Sequence, residues 1–579
     1  IIVGIDFGTT YSGVAFTMSN KIDKIEVVTS WSADHHSNVD MEKVPTAIAY
    51  REKNTFVWGY DLGVDDTQLK WFKLLLIDQE DLPDDVRTSK KIKEARKFLK
   101  KHNKTSVEVI SLYLRHLWNH ASARIVDALG RSLVNFSKFH IVITLPAIWP
   151  EYAQARMREA ATRAGILSTD RIGGATELSF ISEPEAAALA TLYDMDGRCD
   201  IKKDDTFVVV DCGGGTADLI SYQMNHISPM SVEECVKGQG DLCGGVFVDE
   251  AFTKVLKNRF GANKWNSMEG RHRYRLLNEE WEHGIKLQFD GSHREWHITI
   301  PYECLVKDEF RPEMGAPKIT ITSEDVRGVF DPVVEKISDM VDSQIAGVRT
   351  KTGKDPKFVI LVGGFGRSRY LFKYLKDRLA KDIEVLQSRG SSPWTAICRG
   401  AVIYAASFDG SSNFSVQVAT RVSRASYGVM LDETWDPEDH EGIDKVWCDY
   451  EQEWKAEDQM SWFLKNVNQI TADKKVEFSC FQLFEIDGTS SEDTSVEIYT
   501  SSASRAPKRA NKKVRKLCTV KWDNDIEVTS LPTYVNPLGK IFYRLSYKIE
   551  MTIVGGFLDF AVHHGGKRQG SRHVVVDYS

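Results

Sequence analysis

Two glycine-rich turns, far apart in the chain, constrain the fold more than any other feature of this sequence. The first turn runs from Asp6 to Tyr11 and the second from Asp211 to Asp218, each after a short apolar run. Each turn therefore starts with an aspartate at the end of a predicted β-strand. Its glycines let the backbone turn sharply and bring N–H groups close to a ligand. One such turn is common, but a matched pair predicts two loops that close on one polyphosphate and favours a nucleotide as the ligand.

The size and charge of the chain narrow its class. A chain of 579 residues exceeds what one hydrophobic core usually supports, so we expect two or more domains. The formal net charge of −7 argues against non-specific nucleic-acid binding, which requires a basic surface. No apolar stretch approaches the roughly 20 residues that cross a bilayer. The predicted partners therefore include no nucleic acid, and no membrane span is expected.

The cysteines and one basic run bear on location. The nine cysteines are scattered singly, without the Cys/His spacing of a zinc site, which favours reduced thiols and a cytoplasmic protein. The basic run from Arg505 to Lys516 leaves three interpretations open. It is typical of a nuclear localisation signal, of an anion-binding patch, or of a solvated loop between strands.

The order of predicted elements repeats along the chain. After the first turn come a strand at His140–Leu145, a helix from Glu151 and a helix that opens at Glu183. After the second turn come helical segments, a strand at Phe358–Val362 and a last helix near Pro393. This duplication predicts two α/β lobes that face each other across a cleft.

The predicted domains follow from the repeat. We expect lobe I at about 1–200 and lobe II at about 201–408, which together form one nucleotide-binding domain. Beyond residue 408 the pattern changes to short alternating strands separated by Gly, Asn and Asp. This pattern predicts a β-rich C-terminal module over 409–579.

The ordered motifs resemble those of the actin-like ATPase superfamily, and within it those of the 70-kDa heat-shock chaperones. Besides the two turns, the matching motifs are Leu145 to Ala147, Ser182 to Ala188 and Leu361 to Arg367. The resemblance covers about residues 1–408. It implies two duplicated ribonuclease H-like lobes that bind ATP or ADP with Mg²⁺ and hydrolyse ATP slowly. Beyond 408 the usual acidic linker, peptide-binding domain and lid are missing, so the chain resembles a divergent branch of these chaperones.

The resemblance implies roles for residues around the phosphates. Backbone N–H groups and hydroxyls hold the phosphates at Gly8, Thr9, Thr10, Tyr11, Gly213, Gly214, Gly215, Gly244 and Gly245. Asp6 and Asp211 hold Mg²⁺ largely through water, because Mg²⁺ sheds its hydration reluctantly. The catalytic residues are Lys73, Glu183, Asp211 and Thr216.

Structural alternatives stand beside several of these roles. The hydroxyls of Thr9 and Thr10 are also typical of strand-end capping. Glu183 also suits the positive end of a helix, where a carboxylate compensates the helix dipole. Lys73 is also compatible with a surface lysine whose apolar stem packs while its charge stays in water.

On the adenosine side the implied residues are Glu282, Lys286, Gly363, Gly364 and Arg367. The alternative for residues 281–286 is a plain amphipathic helix. The chain departs from the family pattern at Ile285, where a second basic residue is usual. It also departs at Trp394 and at Val246, where acidic residues are usual.

Three functions remain open on the sequence. The first is a chaperone-like ATPase switch, whose nucleotide state is coupled to the C-terminal module and through it to a protein client or co-chaperone. The second is a nucleotide-stabilised binding scaffold with little hydrolysis. The third is a small-molecule kinase of the same fold, which the Thr9-Thr10-Tyr11 sequence and the β-rich module disfavour.

Overall fold

The structure is a computed structural model that describes residues 1–32, 40–51, 55–147, 149–195, 201–301, 318–387, 392–407, 417–449, 451–466, 469–471, 475–486, 494–522, 527–554, 557–569 and 574–578. Within these ranges the chain forms two compact units, Ile1–Gln417 and Val418–Ser579. The predicted boundaries near residues 200 and 408 lie outside the described residues. The division at those points stays a prediction.

The first half of the first unit is a sheet with helices. Its strands are β1 (Ile2–Phe7), β2 (Tyr11–Thr17), β3 (Glu26–Val27), β4 (Lys43–Pro45), β5 (Ala47–Tyr50), β6 (Phe56–Trp58), β7 (Leu69–Lys70), β8 (His140–Leu145) and β9 (Glu177–Ser182). Its helices are α1 (Asp84–Arg87), α2 (Lys90–His102), α3 (Ser106–Leu129), α4 (Arg131–Phe136), α5 (Glu151–Arg163) and α6 (Glu183–Met195). A 3₁₀ turn covers Phe72–Leu76. The helix predicted from Glu151 is confirmed.

The second half of this unit repeats the design. Its strands are β10 (Thr206–Cys212), β11 (Ala217–Ile227), β12 (Met230–Asp241), β13 (Glu295–Thr299), β14 (Lys318–Thr322), β15 (Phe358–Val362) and β16 (Glu384–Gln387). Its helices are α7 (Gly245–Phe260), α8 (Ala262–Ser267), α9 (Gly270–Tyr274), α10 (Lys286–Gln288), α11 (Ser323–Thr352), α12 (Arg369–Arg378) and α13 (Ser392–Ala406). A π-helix covers Arg275–Ile285, and a 3₁₀ turn covers Phe365–Arg367.

The two main sheets share one strand order, which confirms the predicted duplication. The first sheet runs β3-β2-β1-β8-β9, and the corresponding strands of the second run β12-β11-β10-β15-β16. In both, a central strand pairs antiparallel with the next strand in sequence and parallel with a later one. β1 and β10 are buried along their whole length, as their apolar sequences require. Asp6 and Asp211 therefore stand at the ends of equivalent strands.

The helices bury apolar faces against these sheets. α3 begins with a capping box in which Thr105 and Glu108 satisfy each other's backbone N–H groups. It then buries Val109, Leu117 and Ile125 among other apolar residues, which matches the helical spacing of the sequence. None of the helices in the described part of the chain combines the length and apolar character of a membrane span.

The second unit is mostly β, as predicted. Its strands are β17 (Gln417–Val422), β18 (Ser426–Thr434), β19 (Lys445–Cys448), β20 (Glu453–Leu464), β21 (Gln469–Thr471), β22 (Val476–Glu485), β23 (Thr494–Ser501), β24 (Arg515–Trp522), β25 (Thr533–Val535), β26 (Ile541–Val554), β27 (Phe557–His564), β28 (Lys567–Gln569) and β29 (Val574–Tyr578). One sheet runs β19-β20-β18-β23-β24-β29 and another runs β22-β26-β27-β28. Tyr427 and Trp522 from the first share one core with Ile549 and Phe560 from the second, so this unit has its own hydrophobic core.

Candidate active site

The two glycine-rich turns meet in the structure. A Cβ atom added to Gly214 would lie 2.1 Å from the Thr10 hydroxyl oxygen, and one added to Gly215 would lie 3.1 Å from the Thr9 methyl carbon. Position 214 therefore accepts only glycine while the loops keep this approach. Thr9 and Thr216 are buried beside the contact, and the Gly213 N–H closes the second turn by donating to the Thr216 carbonyl at 2.9 Å. The two predicted phosphate-binding loops thus form one continuous surface.

The connecting turn before α7 braces the second loop. The N–H groups of Gly245 and Val246 donate to the carbonyls of Gly213 and Gly214 at 3.1 and 2.9 Å. The Gly244 N–H donates to Gly215 at 3.2 Å. These three N–H groups are engaged by the protein itself. In this conformation Gly244 and Gly245 shape the loop, and their predicted direct contact with phosphate stays a prediction.

Four carboxylates lie buried beneath the loops. They are Asp6, Glu183, Asp211 and Asp218. One oxygen of Asp211 and both oxygens of Asp218 have no hydrogen-bond partner among the described residues. Burial, and then the neighbouring Glu183, Asp218 and Asp6, raise the pKa of Asp211 well above its usual value. Burial and Glu183 raise the pKa of Asp218 to about 7.

Two buried lysines face these carboxylates. The Lys73 ammonium lies 2.5 Å from Glu183 Oε1, and its side chain is 1% exposed, so the interpretation as a surface lysine is wrong. Burial nevertheless raises the pKa of Glu183 against the opposing effect of Lys73. Lys43 contacts Asp6 Oδ2 in a second ion pair. Lys43 was not predicted from the sequence, because strand pairing brings it to Asp6 from the distant strand β4.

The site fits a divalent cation. When all four carboxylates are ionised, the two ammonium groups leave the cluster a formal charge of minus two. The unpartnered oxygens of Asp211 and Asp218 supply hard ligand atoms of the kind that Mg²⁺ or its bound waters require. Asp6 and Asp211 would hold such an ion through water. Asp218 was not predicted as a site residue, although it ends the second glycine-rich turn in the sequence.

The turn that was predicted to contact adenosine lies beside the aromatic side chain of Trp394. Gly363 and Gly364 follow β15, and the Gly363 N–H donates to the Pro393 carbonyl at 3.1 Å. The guanidinium of Arg367 lies 5.8 Å from the centre of the Trp394 ring. The same indole makes an edge contact with Tyr11 at 5.6 Å between ring centres. Trp394 therefore joins the first phosphate loop to the turn after β15, at a position where the family pattern has a carboxylate.

Glu282 and Lys286 belong to a closed ion-pair network. The Lys286 ammonium lies 2.7 Å from Asp249 Oδ1 and 2.7 Å from Glu282 Oε2. The Trp281 indole N–H also donates to Asp249 Oδ1, at 2.7 Å. Burial opposes the charge of Lys286, but the two carboxylates outweigh it and raise the pKa of Lys286. Asp249 is a further residue that the sequence did not single out.

The local helix explains this geometry. The π-helix over Arg275–Ile285 buries Leu276, Trp281 and Ile285, whose spacings of five and four residues suit hydrogen bonds from each residue to the fifth before it. The expected amphipathic helix is present as a π-helix, and the role of Glu282 and Lys286 beside adenosine stays a prediction. Burial, and then the charge of Glu282, raise the pKa of Tyr11 in the first loop.

Comparison with known proteins decides the family. The family model described as Hsp70 protein matches residues 2–437. The chain belongs to the Hsp70 family. Its first unit accordingly has the two-lobed actin-like ATPase fold, a nucleotide-binding fold, as the repeated strand order also indicates.

The relatives are distant and differ in coverage. Human heat shock 70 kDa protein 12B is 24% identical over 486 residues, covering 70% of this chain and 68% of that protein. Mouse heat shock 70 kDa protein 12A is 26% identical over 326 residues, or 45% of this chain and 46% of that protein. Chaperone protein DnaK of Picrophilus torridus is 28% identical over 269 residues, or 46% and 39%. The chain thus spans about two thirds of the first relative and less than half of the other two.

The Hsp70-family match extends past the first unit, and a second model begins there. This model, described as a domain of unknown function (DUF8568), matches residues 421–533. These residues fall within the mostly-β unit. They include the basic run from Arg505 to Lys516, part of which packs along β20: the Met460 N–H donates to the Lys508 carbonyl at 2.9 Å.

Proposed function

We propose that this Hsp70-family chain is a Mg²⁺-dependent ATP-binding protein that hydrolyses ATP slowly and couples its nucleotide state to the C-terminal β-rich module. The observation that carries the proposal is the direct contact of the two glycine-rich loops over a buried carboxylate cluster with unpartnered oxygens. The glycine-rich backbone and hydroxyls of the loops, with carboxylates below, suit a polyphosphate and its metal ion. A protein client or co-chaperone at the module and a cytoplasmic location are parts of the same proposal.

The residues divide the hydrolytic work as follows. Thr9, Thr10, Gly214 and Gly215 hold and orient the phosphates, while Gly213 closes the turn that presents them. Holding and orienting the phosphates is most of what phosphoryl transfer to water requires. Bound Mg²⁺ would neutralise charge that develops on the phosphate oxygens. Lys73 reaches the same region while Glu183 fixes its position. Asp218, with a pKa of about 7, is poised to accept a proton from an attacking water at neutral pH.

The rate is expected to be low for a physical reason. Burial and the neighbouring carboxylates raise the pKa values of Asp211 and Glu183, so ionising the cluster is unfavourable until a cation enters. The catalytic arrangement then forms only when the metal and nucleotide bind and the lobes close. Partner proteins would control when this happens. A slow basal rate is the expected property of such a switch.

Isothermal calorimetry and phosphate release test the proposal together. The wild-type chain should bind ADP and ATP in Mg²⁺ and release phosphate above background, and Asp211→Ala should lose the release. Absence of Mg²⁺-dependent nucleotide binding by the folded protein would refute the proposal.

The second candidate function is a nucleotide-stabilised binding scaffold with little hydrolysis. Residues that were predicted to lie near the adenosine favour it. Trp394 occupies a position where the sequence pattern of the 70-kDa heat-shock chaperones has an acidic residue. The Lys286 ammonium is already paired with Asp249 and Glu282. Equal background phosphate release by wild type and Asp211→Ala, with nucleotide binding retained in the wild type, would favour the scaffold. Phosphate transfer to a sugar or polyol would instead favour the kinase.

A further inference from the structure

Lys43 reaches the active site by crossing one strand of the sheet. Asp6 on β1 pairs with Gly13 on β2, and Gly13 in turn pairs with Lys43 on β4. The three residues form one row across the sheet, and the Lys43 ammonium contacts Asp6 Oδ2 at its end. A Cβ atom on Gly13 would lie 2.9 Å from Lys43 Cγ and 3.3 Å from Cε. The missing side chain at Gly13 therefore provides the path along which Lys43 extends.

The ion pair is shielded from water on both sides. The side chains of Lys43 and Asp6 are 5% and 3% exposed. Burial acts to lower the pKa of Lys43, but Asp6, with Cys398 and Asp211, raises it above its usual value. The ion pair places the ammonium group of Lys43 directly at Asp6, one of the two aspartates that would hold a metal ion.

The position of this charge matters more than its contribution to folding. A buried ion pair adds little net stability compared with apolar residues of similar size, because both charges are desolvated. Here the pair lies directly under the first phosphate loop. With Lys43 the ionised cluster carries a formal charge of minus two, and without it the charge would be minus three. A nucleoside diphosphate brings further negative charge to this cluster.

We infer that Lys43 is a resident cation that supplies part of the neutralisation at Asp6 otherwise supplied by Mg²⁺, so that this chain binds a nucleoside diphosphate with reduced dependence on the metal. The inference rests on the proposed function and deepens it. Lys43 acts on the nucleotide phosphates through Asp6 and through its own charge. The Gly13–Lys43 pairing is the feature that places it there.

Calorimetric titration with ADP, in Mg²⁺ and in EDTA, measures this dependence. The readout is the ratio of the dissociation constants without and with Mg²⁺. For the wild type we expect ADP to weaken by no more than about tenfold in EDTA, because one neutralising charge stays in place. In Lys43→Met the same ratio should grow by about tenfold or more, while binding in saturating Mg²⁺ changes less.

Two matched variants separate charge from structure. Lys43→Arg retains the positive charge and should keep a ratio closer to that of the wild type. Lys357→Met removes a lysine that pairs with Asp205 outside the site and should leave the Mg²⁺ ratio for ADP nearly unchanged. A Lys43→Met protein that weakens equally in both buffers would show a merely structural role and overturn the inference.

The wild type alone also decides the question if Lys43→Met fails to fold. Binding of ADP in Mg²⁺ with no detectable binding in EDTA would overturn the inference and leave the proposed function standing. Absence of binding in both buffers would overturn the proposed function itself. Retained binding in EDTA by the wild type supports the inference.

Discussion

At the scale of single residues, the buried charge of Asp211 destabilises the ligand-free fold but serves the proposed binding of a cation. Its carboxylate is buried with one unpartnered oxygen, and burial with three neighbouring carboxylates raises its pKa. The charged form is therefore destabilising in the ligand-free protein and useful only when a cation is present. Such a conflict is typical of binding sites, where residues are kept for chemistry rather than for folding.

Asp211→Asn tests this conflict directly. The neutral amide removes a buried charge at nearly constant volume, so the ligand-free variant should be more stable than the wild type by roughly 1 kcal/mol. It should also lose most of the stabilisation that Mg²⁺ and ADP give the wild type. Thermal melting with and without ligand measures both effects, and Asp339→Asn on α11 is a control of the same chemistry at a residue that was not placed in the site. Equal loss of stability in both ligand states would contradict the argument.

Asp218 predicts a pH dependence of stability. Its folded pKa of about 7 lies above the usual aspartate value, so the folded state binds the proton more tightly than the unfolded state. The stabilisation from this proton is complete below the unfolded pKa and is lost as the pH rises towards and through about 7. Each pKa unit corresponds to about 1.4 kcal/mol, so the effect amounts to a few kcal/mol at most.

Chemical denaturation from pH 5 to pH 8 without divalent ions checks this dependence. The unfolding free energy of the wild type should fall relative to that of Asp218→Asn over this window, because the asparagine cannot lose a proton. Parallel curves for the two proteins would contradict the assignment.

At the scale of elements, the contact of the two phosphate loops depends on a missing side chain. Gly214→Ala would place a methyl group 2.1 Å from the Thr10 oxygen and force the loops apart. We expect the dissociation constant of ADP to rise by about tenfold or more. A tenfold rise needs a loss of only about 1.4 kcal/mol of binding free energy, which a displaced loop readily causes. Gly213→Ala is the matched control, because its nearest atom would lie 3.4 Å away, at ordinary contact distance. Titration calorimetry should rank Gly214→Ala as the weaker binder, and the double variant Gly214→Ala with Thr10→Gly should recover part of the affinity.

The π-helix and α7 are joined by a buried ion pair rather than by packing alone. Asp249 on α7 accepts from both Lys286 and Trp281. Asp249→Ala would leave Lys286, whose side chain is 11% exposed, with one carboxylate and should lower the unfolding free energy by roughly 1–2 kcal/mol. Glu282→Ala should cost less, because Asp249 also accepts a hydrogen bond from the buried Trp281 indole N–H at 2.7 Å. Urea denaturation of the two variants checks this order, and the reverse order would show that Asp249 is not the principal partner of Lys286.

At the scale of the whole molecule, the sequence predicted the repeated architecture because local signals specify it. Apolar runs that end in aspartate and glycine predicted strand ends, and the second occurrence predicted the duplication that the shared strand order confirms. Lys43 and Asp249 were not predicted as site residues, because the residues that they pair with belong to elements distant in sequence. The pairing of β2 with β4 is a tertiary fact, and no local pattern around Lys43 records that Gly13 lies opposite.

The two compact units predict the thermal behaviour of the full chain. Each has its own buried core, so heating should produce two calorimetric transitions. Mg²⁺ and ADP at 100 times the dissociation constant should raise the stability of the first unit by about 2.7 kcal/mol, because ligand binds only the folded state. If nucleotide state is coupled to the module, the second transition of the full chain should shift as well, by a smaller amount. The isolated segment 418–579 should show no shift, which separates coupling from direct ligand binding. Scanning calorimetry of both proteins with and without nucleotide measures these shifts. If the second transition of the full chain keeps its midpoint when the first one shifts, the proposed coupling is contradicted and the proposed nucleotide site is not.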